Sequence, residues 1–188
     1  IKKIKPDIIL HTAALSRPME IHVNDIGKSI ELNIIGTANL VQICNKFNIK
    51  IIYFSTSYVY EGKKGKYKET DPVKPFNNYG LSKFGGECSV LMYKNSLILR
   101  ITMTEKPFLH KKAYGNLISN YMYHEDLVKI LPKIINKKGI LNIGGKAQSV
   151  YSFAKKNNPN IKKIFANDLE NMPLNQNMSI TKLKKYLS

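Results

Sequence analysis

Residues 49–57 read I-K-I-I-Y-F-S-T-S, an apolar run closed by three hydroxyl side chains. A run this short, rich in Ile and aromatic residues, predicts a strand buried on both faces, as in a parallel sheet. Toward the start of the chain, Ile26, Ile30, Ile34, Ala38, Val41 and Cys44 recur at helical spacing between Asp25 and Phe47. Asn48 closes that helix, and D-I-I-L-H-T-A-A at 7–14 is a second buried strand ending in small residues suited to a tight loop. In the other direction, Gly62, Gly65, Pro72 and Pro75 mark a loop before a helix from Asn77 to Tyr93. S-L-I-L-R-I at 96–101 is the third strand. Strand, helix, strand, helix, strand at these lengths is the repeating unit of a parallel α/β sheet.

Beyond residue 102 the rhythm changes. Residues 102–121 read as irregular, with a helix expected over 124–137 and a strand and turn in G-I-L-N-I-G-G at 139–145. A helix at 149–157, a strand at 161–165 and a helix at 180–187 follow. The expected division is 1–101 as a partial nucleotide-binding sheet and 102–188 as mainly a substrate lobe, free to interleave with the sheet. That lobe would sit at the sheet's carboxyl edge, where open α/β sheets bind ligands.

Apolar content of 43% and charged content of 23% are those of an ordinary globular domain. No apolar run reaches the roughly 18 residues of a membrane span. Asp7 and Pro6 interrupt the basic, apolar start, and no cleavage site follows it, so a cytoplasmic protein is expected. The net charge of +17 raises the question of nucleic acid. Only Arg17 and Arg100 are arginines, and the lysines are spread along the chain rather than gathered in one arm. A solvated lysine surface, without nucleic-acid binding, is the expectation. Cys44 and Cys88 fall in helical patterns without CxxC spacing, which predicts two buried thiols.

The pair that carries chemistry is Tyr79 and Lys83, four residues apart and so on one helical face. An ammonium beside a phenol lowers the tyrosine pKa from about 10 toward the working range and makes it a general acid for carbonyl reduction. The spacing alone is weak: Tyr60/Lys64 and Tyr151/Lys155 share it. Tyr60/Lys64 lies in a loop, and Tyr151/Lys155 far along the chain. Only Tyr79/Lys83 opens a helix one loop after a buried strand that ends in Ser55, Thr56 and Ser57, any of which could bond the same carbonyl oxygen.

With S-T-S-Y-V-Y at 55–60 and N-N-Y-G-L-S-K at 77–83, the chain resembles the extended short-chain dehydrogenases. H-T-A-A-L at 11–15 resembles that family's loop beside the nicotinamide ribose, and E-L-N-I-I-G-T-A-N-L-V at 31–41 its following helix. Y-K-E-T-D-P-V-K-P-F-N-N-Y-G at 67–80 is similar to the dTDP-4-dehydrorhamnose reductase branch. So is M-P-L-N-Q-N-M-S-I-T-K-L-K-K at 172–185, apart from Met172 where that branch has Arg.

The resemblance implies a Rossmann-type sheet, NADPH or NADH as cofactor, and a 4-keto sugar nucleotide as substrate. It implies Tyr79 as proton donor, Thr56 as orienting hydroxyl, and Lys83 as holder of the cofactor ribose. Thr12, Ala13, Ala14, Asn33 and Thr102 would also meet the cofactor, and Arg17 and Ser57 the substrate. Ala13 and Ala14 are explained equally by tight packing, and Arg17 by an exposed loop. Arg100 at a strand end reads as structural. His11 lies in a buried run, and His22, His110 and His124 have no ligand spacing, so no metal is expected. Gly144 and Gly145 end a strand, outside any phosphate-loop context.

The family opens with a strand, a GxxGxxG turn and a helix that hold the pyrophosphate. These 188 residues contain no such turn, so the chain reads as truncated, with roughly fifty to sixty residues of βαβ structure expected upstream. The truncated chain alone is not expected to be fully active, and NAD cannot be told from NADP. A homodimer is compatible with the resemblance. Two rival readings remain: a sugar-nucleotide epimerase, and a cofactor-binding regulatory subunit like that of methionine adenosyltransferase. A dehydratase would be expected to carry acidic residues where Ser57 and Tyr58 stand.

Overall fold

The computed structural model describes Ile1, residues 3–166 and residues 172–188. β1 (Ile8–His11) leads through a loop and two short helices, α1 (Ile21–Asn24) and α2 (Ile26–Ile30), into a π-helical turn at Glu31–Ile35 and then α3 (Gly36–Phe47). β2 (Lys50–Thr56) is followed by a 3-10 turn at Ser57–Val59, a loop and α4 (Asn78–Leu91). β3 (Ser96–Ile101) precedes β4 (Met103–Thr104), β5 (Lys112–Tyr114), β6 (Ile118–Ser119) and β7 (Met122–Tyr123). Then come α5 (His124–Ile134), β8 (Gly139–Ile143), β9 (Gln148–Ser149), α6 (Val150–Lys155), β10 (Lys162–Ile164) and α7 (Thr181–Leu187).

The sheet has the order β1-β2-β3-β8 and is parallel throughout. Every residue of β2 is buried because both faces are covered. On one face Ile52, Phe54, Leu97, Leu99 and Leu141 pack with Leu127 and Ile134 of α5 and Leu183 of α7. On the other, Ile51, Tyr53 and Ile98 meet Val41 and Cys44 of α3 and Val90 of α4. This is the expected α/β architecture. The parallel register brings His11, Thr56, Ile101 and Ile143 to one edge. A further core of Phe108, Leu117, Tyr123, Val150, Phe153 and Ile161 lies among the shorter elements. The stretch expected to be irregular at 102–121 holds three short strands, paired by later elements: β4 with β7, β5 with β10, and β6 with β9. Strands of two or three residues are too short to show a periodicity, which is why they escape a reading of pattern.

The helix expected over 25–47 is correct in extent, but its buried face differs. Ile26 and Ile30 are exposed, and the buried stripe is Ser29, Asn33, Thr37, Val41 and Cys44. Small polar side chains there let α4 approach closely, and each finds a partner: Ser29 with His22, Asn33 with Ser82, and Thr37 with His11. Gly86 on α4 belongs to the same contact, since a Cβ there would lie 2.8 Å from the Asn33 carbonyl oxygen. The expectation for cysteine also needs correcting: Cys44 is buried, but Cys88 is exposed, on the outer side of α4.

Candidate active site

A cleft of about 970 Å³ opens at the carboxyl edge of the sheet, with Thr56 and Tyr79 on one side and Arg17, Thr102, Glu105, Tyr121 and His124 around it. Local chemistry places the first two. Thr56 ends β2, and its Oγ1 accepts from the Tyr58 N–H at 3.2 Å, capping the 3-10 turn. Asn77 caps α4 by accepting from the Gly80 N–H at 2.9 Å, so Tyr79 falls in the first turn and Lys83 one turn later. The Tyr79 ring is flanked by His22 at 5.2 Å and by the edge of Tyr58 at 6.1 Å.

Three hydroxyls close β2, and the structure separates them. Ser55 donates to Glu87 Oε1, and Glu87 is also held by Arg100 Nη2 at 2.7 Å, both nearly solvent-free. Ser57 is fully buried behind the cleft wall, where its Oγ accepts from Thr102 Oγ1 at 2.7 Å. The 3-10 turn points it inward, away from where a substrate contact had been expected. Thr56 is left facing Tyr79, and it acts on the phenol through a side-chain hydrogen bond.

The electrostatics correct one expectation. Burial pushes the Tyr79 pKa up, Tyr58 adds to this, and Thr56 and Arg17 oppose it. Lys83 is not among the groups that lower it. The lysine is buried, its Nζ lies 4.2 Å from the centre of the Tyr53 ring, and desolvation brings its pKa to about 7, against the pull of Glu87. A lysine half neutral at neutral pH is a poor stabiliser of phenolate. Tyr79 therefore keeps its proton across the working range, as a donor must.

Asn33 is buried and acts at one remove. Its Oδ1 accepts from Leu15 N–H at 2.8 Å, and its Nδ2 donates to the Leu15 carbonyl and to Ser82 Oγ, each at 2.9 Å. Ser82 donates in turn to the Tyr79 carbonyl at 2.8 Å. Asn33 is the buried residue of the π-turn, a distortion frequent at functional sites. Thr12, Ala13 and Ala14 stand exposed on the loop that Asn33 pins. His11 is kept neutral, at about 4, by burial and then by Lys83.

The other two Tyr/Lys pairs lie off the cleft. Tyr60 is buried against Arg100 Nη1 and Asn142, while Lys64 pairs with Asp71. Tyr151 sits beneath the ammoniums of Lys155 and Lys163. Arg100 is structural, as expected. Reading the sequence missed Glu105, which pairs with Arg17 at 3.5 Å, and also missed Phe108, Tyr121 and His124 on the far wall. No motif marks them, because the fold alone returns them to the sheet edge. Among the described residues no three His, Cys, Asp or Glu side chains gather as a metal site. None of the described helices is long and apolar enough to cross a membrane.

The chain is similar to a dTDP-4-dehydrorhamnose reductase of Aggregatibacter actinomycetemcomitans, 35% identical over 145 residues, covering 76% of this chain and 44% of that protein. It is 32% identical over 102 residues to methionine adenosyltransferase 2 subunit beta of Xenopus laevis, covering 54% and 30%. The chain thus spans less than half the length of these curated relatives. In structure it resembles a dTDP-4-dehydrorhamnose reductase of Bacillus anthracis solved with NADP, at a TM-score of 0.83 and 22% identity, covering 98% of this chain and 74% of that one. That likeness establishes the Rossmann-type fold. Residues 1–121, well over half the chain, match the RmlD substrate binding domain, and the protein belongs to that family.

Proposed function

We propose that this chain takes part in the reduction of a 4-keto sugar nucleotide by NADPH or NADH, with Thr56, Tyr79 and Lys83 as its catalytic set. One observation carries the reading. Thr56 and Tyr79 face each other at the carboxyl edge of a parallel sheet, with Lys83 one helical turn behind. The residues fit a nicotinamide cofactor: Lys83 Nζ donates no hydrogen bond among the described residues and so has donors free for a ribose diol. Thr12, Ala13 and Ala14 offer a small-residue surface beside it, and Thr102 lines the cleft.

NAD(P)H supplies the hydride. Thr56 Oγ1 and the Tyr79 hydroxyl hold the substrate carbonyl oxygen between them, and Tyr79 passes its proton to that oxygen as the alcohol forms. Lys83 holds the ribose, and Asn33 fixes the loop that carries Thr12 to Ala14. The nucleotide end fits a hollow of about 440 Å³ that shares Tyr58, Phe108, His110 and Tyr121 with the main cleft and adds Lys111 and Lys112. That hollow and the core beneath it support assigning the substrate lobe to 102–188, interleaved with the sheet through β8. Arg17, freed from Glu105, would meet a sugar or phosphate oxygen.

Both substrates are intracellular metabolites, which favours the cytoplasm. A homodimer would use exposed apolar residues such as Ile26 and Ile30. The relatives named as methionine adenosyltransferase subunits keep a regulatory role in view, but the intact set of Thr56, Tyr79 and Lys83 favours the enzyme. Incubating the full-length protein with NADPH and a nucleotide-linked 4-keto-6-deoxy sugar should consume the two in equal amounts and yield the 4-hydroxy sugar by NMR. A product that retains the ketone with an inverted ring carbon would replace this reading with that of an epimerase.

A further inference from the structure

His22 is 1% exposed, and no motif accounts for it. Its Nδ1 lies 2.7 Å from Ser29 Oγ, and its Nε2 is buried without a hydrogen-bond partner among the described residues. A buried, unpaired ring nitrogen is rare enough to need a reason. The ring stands 5.2 Å from the Tyr79 ring at an interplanar angle of 55°, and its backbone carbonyl accepts from Asn78 Nδ2 at 2.9 Å. Two contacts from one residue therefore bracket Tyr79 at the start of α4. Burial lowers the His22 pKa and keeps the ring neutral. When the Ser29 hydroxyl donates to Nδ1, the proton sits on Nε2, and a tilted ring at this distance suits an N–H edge meeting a π face.

We propose that His22, with its tautomer set by Ser29, is a positioning residue for Tyr79: it holds the phenol ring against the cleft wall so that the hydroxyl stays beside Thr56. The proposal rests on reading Tyr79 as the proton donor, and the orphaned Nε2 is the feature that simple packing does not explain. Without the clamp the ring swings toward the water of the cleft, so the phenol becomes easier to ionise and is less often aligned.

The test compares the wild-type protein with His22→Phe, which keeps a ring but no nitrogen, and Ser29→Ala, which leaves the whole imidazole in place. Tyrosine is labelled with carbon-13, and the Tyr79 signal is assigned by its loss in Tyr79→Phe. Both variants should ionise Tyr79 about one pH unit lower than wild type while the Tyr121 signal is unmoved. Both should lower kcat about ten-fold with KM for either substrate within about two-fold. A wild-type Tyr79 titration in Ser29→Ala overturns the proposal, because packing alone would survive that change. If the wild-type protein showed no turnover, the reductase reading would fall and the titration would still decide the role of His22.

Discussion

Replacing Lys83 with Met should stabilise the fold, and the gain should shrink as pH rises. The unfolded lysine titrates near 10.4, whereas desolvation holds the folded one at about 7. Between those values the unfolded chain binds the extra proton, so wild-type stability climbs with pH across that window. The shift sets an upper bound of about 5 kcal/mol on the cost of charging Lys83 inside the fold, at about 1.4 kcal/mol per pH unit. Urea unfolding followed by circular dichroism, on both proteins from about pH 6 to about pH 9, isolates the term, because titrating groups distant from Lys83 cancel in the difference and His11, held neutral at about 4, stays below the window. Lys83→Met should be more stable by about 4–5 kcal/mol at the acid end and by about 2 kcal/mol at the alkaline end, a fall of about 2–3 kcal/mol across the window. A difference that stays constant with pH would show that Lys83 titrates normally when folded, and the account of its electrostatics would be wrong.

Thr56→Ala should slow reduction by about 10²-fold, and Thr56→Ser should restore most of it, whereas Ser57→Ala should change kcat less than about three-fold. Steady-state kinetics on the three variants separate the facing hydroxyl from the buried one. Asn33→Ala leaves the Leu15 backbone groups and Ser82 short of partners, so it should cost about 2–3 kcal/mol in urea unfolding and raise KM for the cofactor more than it lowers kcat. Fluorescence anisotropy with a short duplex at about 0.15 M salt should show no sub-micromolar binding, since lysines scattered over a surface are screened at that ionic strength.

The parts of this protein that are legible in its sequence are those set by local pattern. I-K-I-I-Y-F-S-T-S could only be a doubly covered strand, and Asn77 before Tyr79 marks a helix start whose first turn carries the phenol. What escaped has a common cause: it depends on who the neighbour is. Ile26 and Ile30 show the helical period as well as any core residue, yet the face that turns inward is polar, because His11, His22 and Ser82 wait there to satisfy it. The same spacing of Tyr79 and Lys83 promised a depressed phenol pKa. Burial of the phenol itself, which spacing cannot show, reverses the direction, and the equally buried lysine does not oppose it. The far wall of the cleft, from Glu105 to His124, is assembled by strands two or three residues long.

The central claim is that Tyr79 delivers the proton, and Tyr79→Phe tests it most directly when turnover and NADPH affinity are measured on the same preparation of the full-length protein. The variant should bind NADPH within about two-fold of wild type, since the ring still packs against His22 and Tyr58, while kcat falls by about 10³-fold. Tyr60→Phe and Tyr151→Phe, carrying the same spacing off the cleft, should keep their turnover. Retention of most of the wild-type rate by Tyr79→Phe, or an equal loss from either of the other two, would contradict the account.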